Sequence, residues 1–313
     1  MLEKSPAFLA GHRILCPGGG PNPRQLRKTG NHVILLPNKK GVRALVKQNI
    51  LRLIPALLAL LTVAALLAGA LSDPRPYLDD EELISLPPPV ANPYAPEDFV
   101  YNDLGLLTTA DGTGVLGVDV SEFQENIDWN LVKASGIEFV MIRVGFRGYG
   151  DSGTMKRDSA AADHYAGAKA AGLKVGAYFF SQAITPREAV EEAEFLLRVT
   201  GGWELDLPLV FDWEYIGDYA RTADMDPRTL TDCSRAFCRV IRRAGHTPMV
   251  YFNLTQARDL LYLEELTDFQ WWLARYADTM DFDYRVQMWQ YTSRGNVPGI
   301  PGEVDVNIRF PEG

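Results

Sequence analysis

The chain has 313 residues, 47% of them hydrophobic, and a formal net charge of −9, which allows one large domain or two small ones. Three cysteines cannot supply a disulfide framework and the four histidines lack zinc-ligand spacing, so we expect no bound metal and no cofactor. The charge is uneven: residues 1–52 carry +9 and residues 53–313 carry −18, which argues against nucleic-acid binding by the folded part.

An uncharged apolar run covers residues 53–71 near the N-terminus. As a helix it would rise about 28 Å, close to the hydrocarbon thickness of a bilayer. Lysines and arginines precede the run and acidic residues follow it, so the positive-inside rule places the N-terminus in the cytoplasm. We predict a disordered basic cytoplasmic arm over residues 1–49 and a transmembrane signal anchor over residues 50–71. The protein would then be a single-pass protein of the cell membrane with its folded domain outside the cell.

Cleavage of this segment is the alternative to anchoring. Ala68, Gly69 and Ala70 fit the small-x-small pattern of a signal peptidase site, and cleavage after Ala70 would release a secreted protein. Residues 72–113 contain seven prolines, and we predict that they form a semi-extended linker.

Strands alternate with helices from residue 114 to residue 313. The eight predicted strands cover residues 115–121, 139–146, 175–181, 207–215, 248–253, 271–276, 286–293 and 304–310. Helical segments follow the first five strands, and the last three strands leave little room for helices. Sequential β and α units imply a parallel sheet, and eight strands over some 200 residues suggest a closed barrel. We therefore predict an α/β fold, an irregular TIM-like β/α barrel of about five β/α units plus three further strands, over residues 114–313.

Four acidic residues lie where functional groups gather in such barrels, at the carboxyl ends of strands. Asp119 is near the end of the first strand, and Asp305 opens the last segment after a long loop. Asp212 and Glu214 end the fourth strand, and their spacing of two puts both on one face. Neighbouring carboxylates repel, which raises the pKa of at least one, and a carboxylic acid with a raised pKa suits acid-catalysed cleavage of a glycosidic bond.

Several motifs of the predicted barrel resemble one known family. They read GVDVSEFQENIDW, FVMIRVG, LVFDWEY, WLARY and MWQYTSRGNVPGIPGEVDVN. Together they closely resemble glycoside hydrolase family 25, the lysozymes (muramidases) of bacteria and phages, from about residue 117 to residue 310. The resemblance implies an irregular β/α barrel that hydrolyses the β-1,4 bond from N-acetylmuramic acid to N-acetylglucosamine in peptidoglycan.

The resemblance also implies roles for the four acids. Glu214 matches the family's general acid/base, and Asp212 matches the acid that orients the substrate's N-acetyl group. Asp119 and Asp305 match the other two active-site acids. The implied route retains configuration with the N-acetyl carbonyl as internal nucleophile, and a direct nucleophilic role for one aspartate stays open.

Aromatic residues at or near strand ends are candidates for stacking on sugar rings. We predict that Tyr178, Tyr276, Trp289 and Tyr291 bind substrate. Only every second residue of a strand faces inward, so about half of the strand-end aromatic residues should instead be structural.

Three alternative functions remain open at this point. The four acids could be oxygen ligands of a metal-dependent hydrolase. The barrel could instead be a chitinase-like glycosidase or a non-catalytic module that binds cell-wall glycans. For the leading hypothesis, the expected partners are peptidoglycan glycan strands and the membrane, and we expect a monomer.

Overall fold

The computed structural model describes residues 86–311. The predicted basic arm, the signal anchor and the first part of the linker lie outside the described residues. Among the helices that the structure does describe, none has the length and apolar character needed to cross a membrane.

Eleven strands and four α-helices form the described part of the chain. The strands are β1 (Phe99–Tyr101), β2 (Leu107–Thr109), β3 (Val115–Val120), β4 (Phe139–Arg147), β5 (Met155–Arg157), β6 (Lys174–Ser181), β7 (Leu209–Trp213), β8 (Pro248–Asn253), β9 (Gln270–Ala274), β10 (Met288–Gly295) and β11 (Val304–Arg309). The helices are α1 (Trp129–Ala134), α2 (Ala161–Ala170), α3 (Pro186–Thr200) and α4 (Pro227–Arg243). Single helical turns cover Pro96–Asp98, Gln256–Leu260 and Leu263–Glu265.

Eight of these strands close into a barrel in the order β3-β4-β6-β7-β8-β9-β10-β11, because β11 also pairs with β3. The predicted eight-stranded β/α barrel is therefore confirmed. The sequence pattern predicted a parallel sheet, but β11 runs antiparallel to both β10 and β3. Residues 296–303 hold no helix, and a connection that short returns the chain antiparallel, whereas a parallel strand needs a crossover of a dozen residues or more.

Polar caps begin the helices that pack outside the barrel. The Asp128 carboxylate accepts hydrogen bonds from the backbone of Asn130 and Leu131 at the start of α1. The Asp226 carboxylate does the same for Thr229 in α4, where a proline follows the cap. Such caps satisfy amides that have no partner inside the helix, which sets where each helix starts and hence where the preceding loop ends.

The strand residues alternate between two cores. One core fills the space between the strands and the helices, and a smaller one fills the barrel interior. Phe139, Met141, Met249 and Met288 are fully buried in the interior core. A Cβ on Gly117 would lie 2.3 Å from the Phe139 ring, so the glycine makes room for this filling. The interior becomes polar only toward the carboxyl ends of the parallel strands, where the acids lie.

The described part of the predicted linker, residues 86–113, packs on the barrel. Phe99 lies edge-to-face on Trp289 with ring centroids 5.0 Å apart, and Tyr94 stacks on Phe310 at 4.4 Å. The Leu107 amide donates to the Tyr291 hydroxyl at 3.1 Å. No helix lies in the connections around β10 and β11, so this segment covers the outer face that a crossover helix would otherwise cover. The sequence suggested a semi-extended linker here because prolines recur in it, whereas the two strands of the hairpin are only three residues long.

Replacing the anchor of this segment should destabilise the barrel. We expect Phe99→Ala to lower the free energy of unfolding by about 3 kcal/mol, since it leaves a cavity beside Trp289. Val100 is the matched control because its side chain is 43% exposed on the same strand, and Val100→Ala should change stability by no more than about 0.5 kcal/mol. Equilibrium urea unfolding measures both, and equal effects would show that the hairpin is not part of the folded core.

Candidate active site

A polar cavity of about 290 Å³ opens at the carboxyl ends of the parallel barrel strands. Six of the eight predicted site residues line this catalytic cavity: Asp119, Asp212, Glu214, Asp305, Tyr178 and Tyr276. The structure therefore brings the four acids together, from β3, from the end of β7 and from β11. Trp289 and Tyr291 do not line it.

Asp119 is the most firmly held of the four acids. Its Oδ2 accepts a hydrogen bond from Gln290 Nε2 at 2.9 Å and another from Asn307 Nδ2 at 2.8 Å. Burial raises the pKa of Asp119 to about 6, although both amide hydrogen bonds favour the ionised form. The pKa of Asp119 is thus raised less than those of Glu214 and Asp305, and Asp119 is the acid best prepared to carry a negative charge.

The two amides that hold Asp119 are themselves oriented by aromatic side chains. Gln290 Oε1 accepts from the hydroxyls of Tyr251 at 3.0 Å and Tyr276 at 3.1 Å. Asn307 Oδ1 accepts from the Trp272 indole nitrogen at 2.9 Å. Because each amide oxygen is already bonded, its NH₂ group is directed at Asp119.

Asp212 and Glu214 face the cavity, and the intervening Trp213 packs into the outer core, as the alternation predicted. Asp212 is 4% exposed, and its Oδ1 has no hydrogen-bond partner among the described residues. Burial, then the charges of Glu214 and Asp119, raise the pKa of Asp212 well above its usual value. Burial, then the charge of Asp119, raises the pKa of Glu214 to about 7.

Asp305 lies directly opposite Asp119 in the antiparallel pairing of β11 with β3. Burial, then the charges of Asp119 and Glu214, raise the pKa of Asp305 to about 8. Like charges this close cannot all ionise together, so the cluster retains protons near neutral pH and titrates as a coupled group.

Arg143 is a cavity residue that the sequence analysis missed. Its side chain reaches the catalytic cavity from β4, following the inward alternation of Phe139 and Met141. Its guanidinium donates to Asp158 at 2.8 Å and to Glu122 at 3.3 Å. A positive charge here lowers the pKa of Asp212, against the larger effects that raise it.

Gln290, Asn307 and Tyr251 were also missed, although a signal for Asn307 was in the sequence. Residues two apart share a face, so the inward position of Asp305 also placed Asn307 inside. Gln290 shares the inward face of β10 with Met288, which the structure shows and the sequence did not.

Trp289 is a correction to the predicted substrate-binding residues, and Tyr291 lies away from the four acids. Both lie on the outer face of β10, because the intervening Gln290 faces inward. Trp289 is fully buried, and its indole nitrogen donates to the Arg275 carbonyl at 2.8 Å. Tyr291 is 6% exposed, with its hydroxyl bonded to the hairpin, and it lines a neighbouring cavity instead. Both therefore attach the N-terminal segment to the barrel.

Side-chain hydrogen bonds to the backbone hold the end of β7, and they thereby set the position of Glu214. Gln182 Nε2 donates to the Glu214 carbonyl at 2.9 Å, and Gln256 Nε2 donates to the Trp213 carbonyl. The Gln182 amide oxygen accepts from the Thr222 hydroxyl at 2.8 Å. Glu214 follows the last strand residue, so these side chains replace the ladder hydrogen bonds that would otherwise hold it.

Comparison with known proteins agrees with this geometry. Residues 118–300 match the model of glycosyl hydrolases family 25. The chain is 30% identical over 198 residues to an autolytic lysozyme of Clostridium acetobutylicum, covering 63% of this chain and 56% of that protein. It is 27% identical over 208 residues to lysozyme M1 of Streptomyces globisporus, covering 63% of this chain and 68% of that protein.

Solved structures show the same fold. The modular autolysin LytC of Streptococcus pneumoniae superimposes with a TM-score of 0.58 at 23% identity, over 68% of this chain and 50% of that one. A family 25 glycosyl hydrolase of Bacillus anthracis superimposes with a TM-score of 0.55 at 20% identity, over 66% of this chain and 93% of that one. The family match covers more than half of the sequence and includes three of the four clustered acids. The chain belongs to glycosyl hydrolase family 25.

Proposed function

We propose that this protein is a muramidase that hydrolyses the β-1,4 bond between N-acetylmuramic acid and N-acetylglucosamine in peptidoglycan. The observation that carries the proposal is Glu214, a carboxyl whose pKa is raised to about 7, beside the buried Asp212 in the cavity of a family 25 barrel. Relatives named lysozymes support the substrate, as does the pneumococcal autolysin, whose structure was solved in complex with a synthetic peptidoglycan ligand.

Glu214 acts first as the general acid in the proposed mechanism. It gives its proton to the glycosidic oxygen while the bond from that oxygen to the anomeric carbon breaks. The carbonyl oxygen of the substrate's own N-acetyl group bonds the anomeric carbon from the opposite face. Glu214, now ionised, then takes a proton from the water that opens this intermediate, so configuration is retained.

Asp212 and Asp119 have different roles in this scheme. The unpartnered Oδ1 of Asp212 is available to hydrogen-bond the N-acetyl group and aim its carbonyl at the anomeric carbon. Asp119 is held by Gln290 and Asn307, and its charge helps to keep Glu214 protonated before the reaction. The same charge favours the positive transition state. Asp305 adds a carboxyl that burial, then the charges of Asp119 and Glu214, keep protonated to higher pH.

The other candidate functions predict different outcomes. A chitinase-like enzyme would cleave N-acetylglucosamine polymers in preference to peptidoglycan, and a binding module would cleave neither. A metal-dependent hydrolase would lose activity in a chelator. Within residues 86–311, no group of three or more His, Cys, Asp or Glu side chains is arranged to hold a metal ion.

Replacing Glu214 with its isosteric amide should remove the general acid. We expect Glu214→Gln to lower the turnover of purified peptidoglycan by about 10²–10⁴-fold. Mass spectrometry of the released muropeptides measures turnover and shows which sugar bears the reducing end, which is N-acetylmuramic acid for a muramidase. Exposed Glu204 provides the matched control, and Glu204→Gln should leave turnover unchanged. Undiminished turnover in the Glu214 variant would overturn the mechanism.

The raised pKa of Glu214 also sets an expected pH dependence. Because Glu214 must start protonated, kcat/KM should fall as pH rises through about 7. The charge of Asp119 is one cause of that raised pKa, so Asp119→Asn should move the alkaline limb to lower pH as well as slow the reaction. The pH profiles of both proteins on soluble peptidoglycan fragments measure this. An alkaline limb that stays in place, or moves to higher pH, would contradict the assignment.

We also propose that the enzyme acts as a monomer held at the outer face of the cell membrane by residues 50–71. One chain supplies all four acids, and the change in charge across residues 53–71 supports the orientation. The full chain should fractionate with membranes and resist extraction by high salt, and a variant with arginines placed within residues 53–71 should not. If the protein is instead recovered from the medium as a chain cleaved after Ala70, it is secreted and not anchored.

A further inference from the structure

A second concave surface adjoins the catalytic cavity on the side of the N-terminal hairpin. We call it the hairpin groove, a cavity of about 460 Å³ between the hairpin tip and the top of the barrel. Tyr101 and Leu104 line it from the hairpin, and Asp278 and Thr292 line it from the barrel. The family match begins at residue 118, so the hairpin wall lies outside the matched segment.

Tyr276 joins the two surfaces, because it lines both the catalytic cavity and the hairpin groove. Its side chain is 54% exposed, yet its hydroxyl is bonded to Gln290, which also holds Asp119. A polymer that leaves the acids on the hairpin side of this ring would enter the groove.

Tyr101 presents an exposed ring on the far wall of the groove. The side chain is 55% exposed, and the hydroxyl donates to Asp278 at 2.5 Å. A large apolar ring held in solvent by its polar end can stack on the C–H face of a sugar with little further loss of conformational entropy.

The hairpin tip that forms this wall is internally bonded. The Asn102 side chain accepts hydrogen bonds from the backbone of Leu104 and Leu106, both at 3.0 Å. Gly105 adopts a φ of +71°, and its amide donates to the Asn102 carbonyl at 2.9 Å. Phe99 anchors the same hairpin on the barrel. The groove is therefore formed before a ligand arrives, as binding sites usually are.

We propose that the hairpin groove binds the glycan strand beyond the sugars held at the acids, with Tyr101 stacked on a pyranose ring. Asp278 and Thr292 offer polar atoms for the hydroxyl and acetamido groups of that sugar. The inference rests on the proposed function and extends it, because it makes long strands better ligands than short ones. Continuity across Tyr276 favours the glycan as occupant, since it is the glycan chain that runs through the catalytic cavity.

Binding measured without cleavage tests this directly. In the Glu214→Gln background, we would titrate three ligands by calorimetry: long peptide-free glycan strands, the same strands carrying stem peptides, and a peptide-free tetrasaccharide. Adding Tyr101→Ala should weaken binding of the long strands about five- to tenfold and leave the tetrasaccharide unaffected. Tyr101→Phe keeps the ring but loses the bond to Asp278, so it should weaken binding of the long strands less than Tyr101→Ala does. Val100→Ala, on the same strand, should change neither ligand.

Other outcomes would overturn the proposal. Equal weakening for both ligands, with a lowered melting temperature, would make Tyr101 a structural residue only. No weakening for either ligand would remove it from binding, and a loss confined to strands that carry stem peptides would assign the groove to peptide. Cleavage by the wild-type protein is assayed in parallel. If binding depends on Tyr101 but the wild-type protein cleaves no strand, the hairpin groove does bind glycan and the proposed muramidase function is wrong.

Discussion

The electrostatic cost of ionising four carboxylates in one buried cavity governs this site. Asp119 has two amide donors and a pKa below those of Glu214 and Asp305, so it takes the charge first and raises the pKa of the others. The nearby cation does not cancel this effect, because the Arg143 guanidinium is already bonded to Asp158 and Glu122. A free cation at that position would favour ionisation of Asp212 and reduce the proton supply that acid catalysis needs.

This arrangement works against the stability of the fold. The folded-state pKa values of Glu214 and Asp305 lie above those of exposed carboxyls. At any pH between the unfolded and the folded pKa values, the folded protein therefore binds more protons than the unfolded chain does. Their contribution is fully present below the unfolded pKa, near 4, and is lost as pH rises through about 7 to 8. The rest of the structure has to offset that loss, and the filled lower barrel and the outer core contribute most of the buried apolar surface.

The sequence predicted the eight barrel strands and the shared face of Asp212 and Glu214, because residues two apart on a strand point the same way. The sequence could not show which residues of β10 face the barrel interior. Both faces of β10 carry apolar or aromatic residues: Trp289 and Tyr291 on one face and Met288 on the other. A strand that is buried on both faces shows no alternation of polar and apolar residues. Gln290 lies on the inward face, but a single polar residue can lie on either face of a strand when its hydrogen-bond partners are unknown. The family match begins at residue 118, so nothing in it pointed to the hairpin at residues 99–109 either.

The hairpin is best understood from what the barrel lacks. The connections around β10 and β11 contain no crossover helix, so the outer face bearing Trp289 and Phe310 would meet water. Residues 86–113 cover that face, and a hairpin long enough to cover it also carries its tip to the level of the catalytic cavity. There Tyr101 bonds Asp278 in the loop that follows Tyr276. The packing requirement at the side of the barrel thus places the Tyr101 ring in a groove that Tyr276 shares with the catalytic cavity, and the proposed glycan groove follows from the way the core is closed.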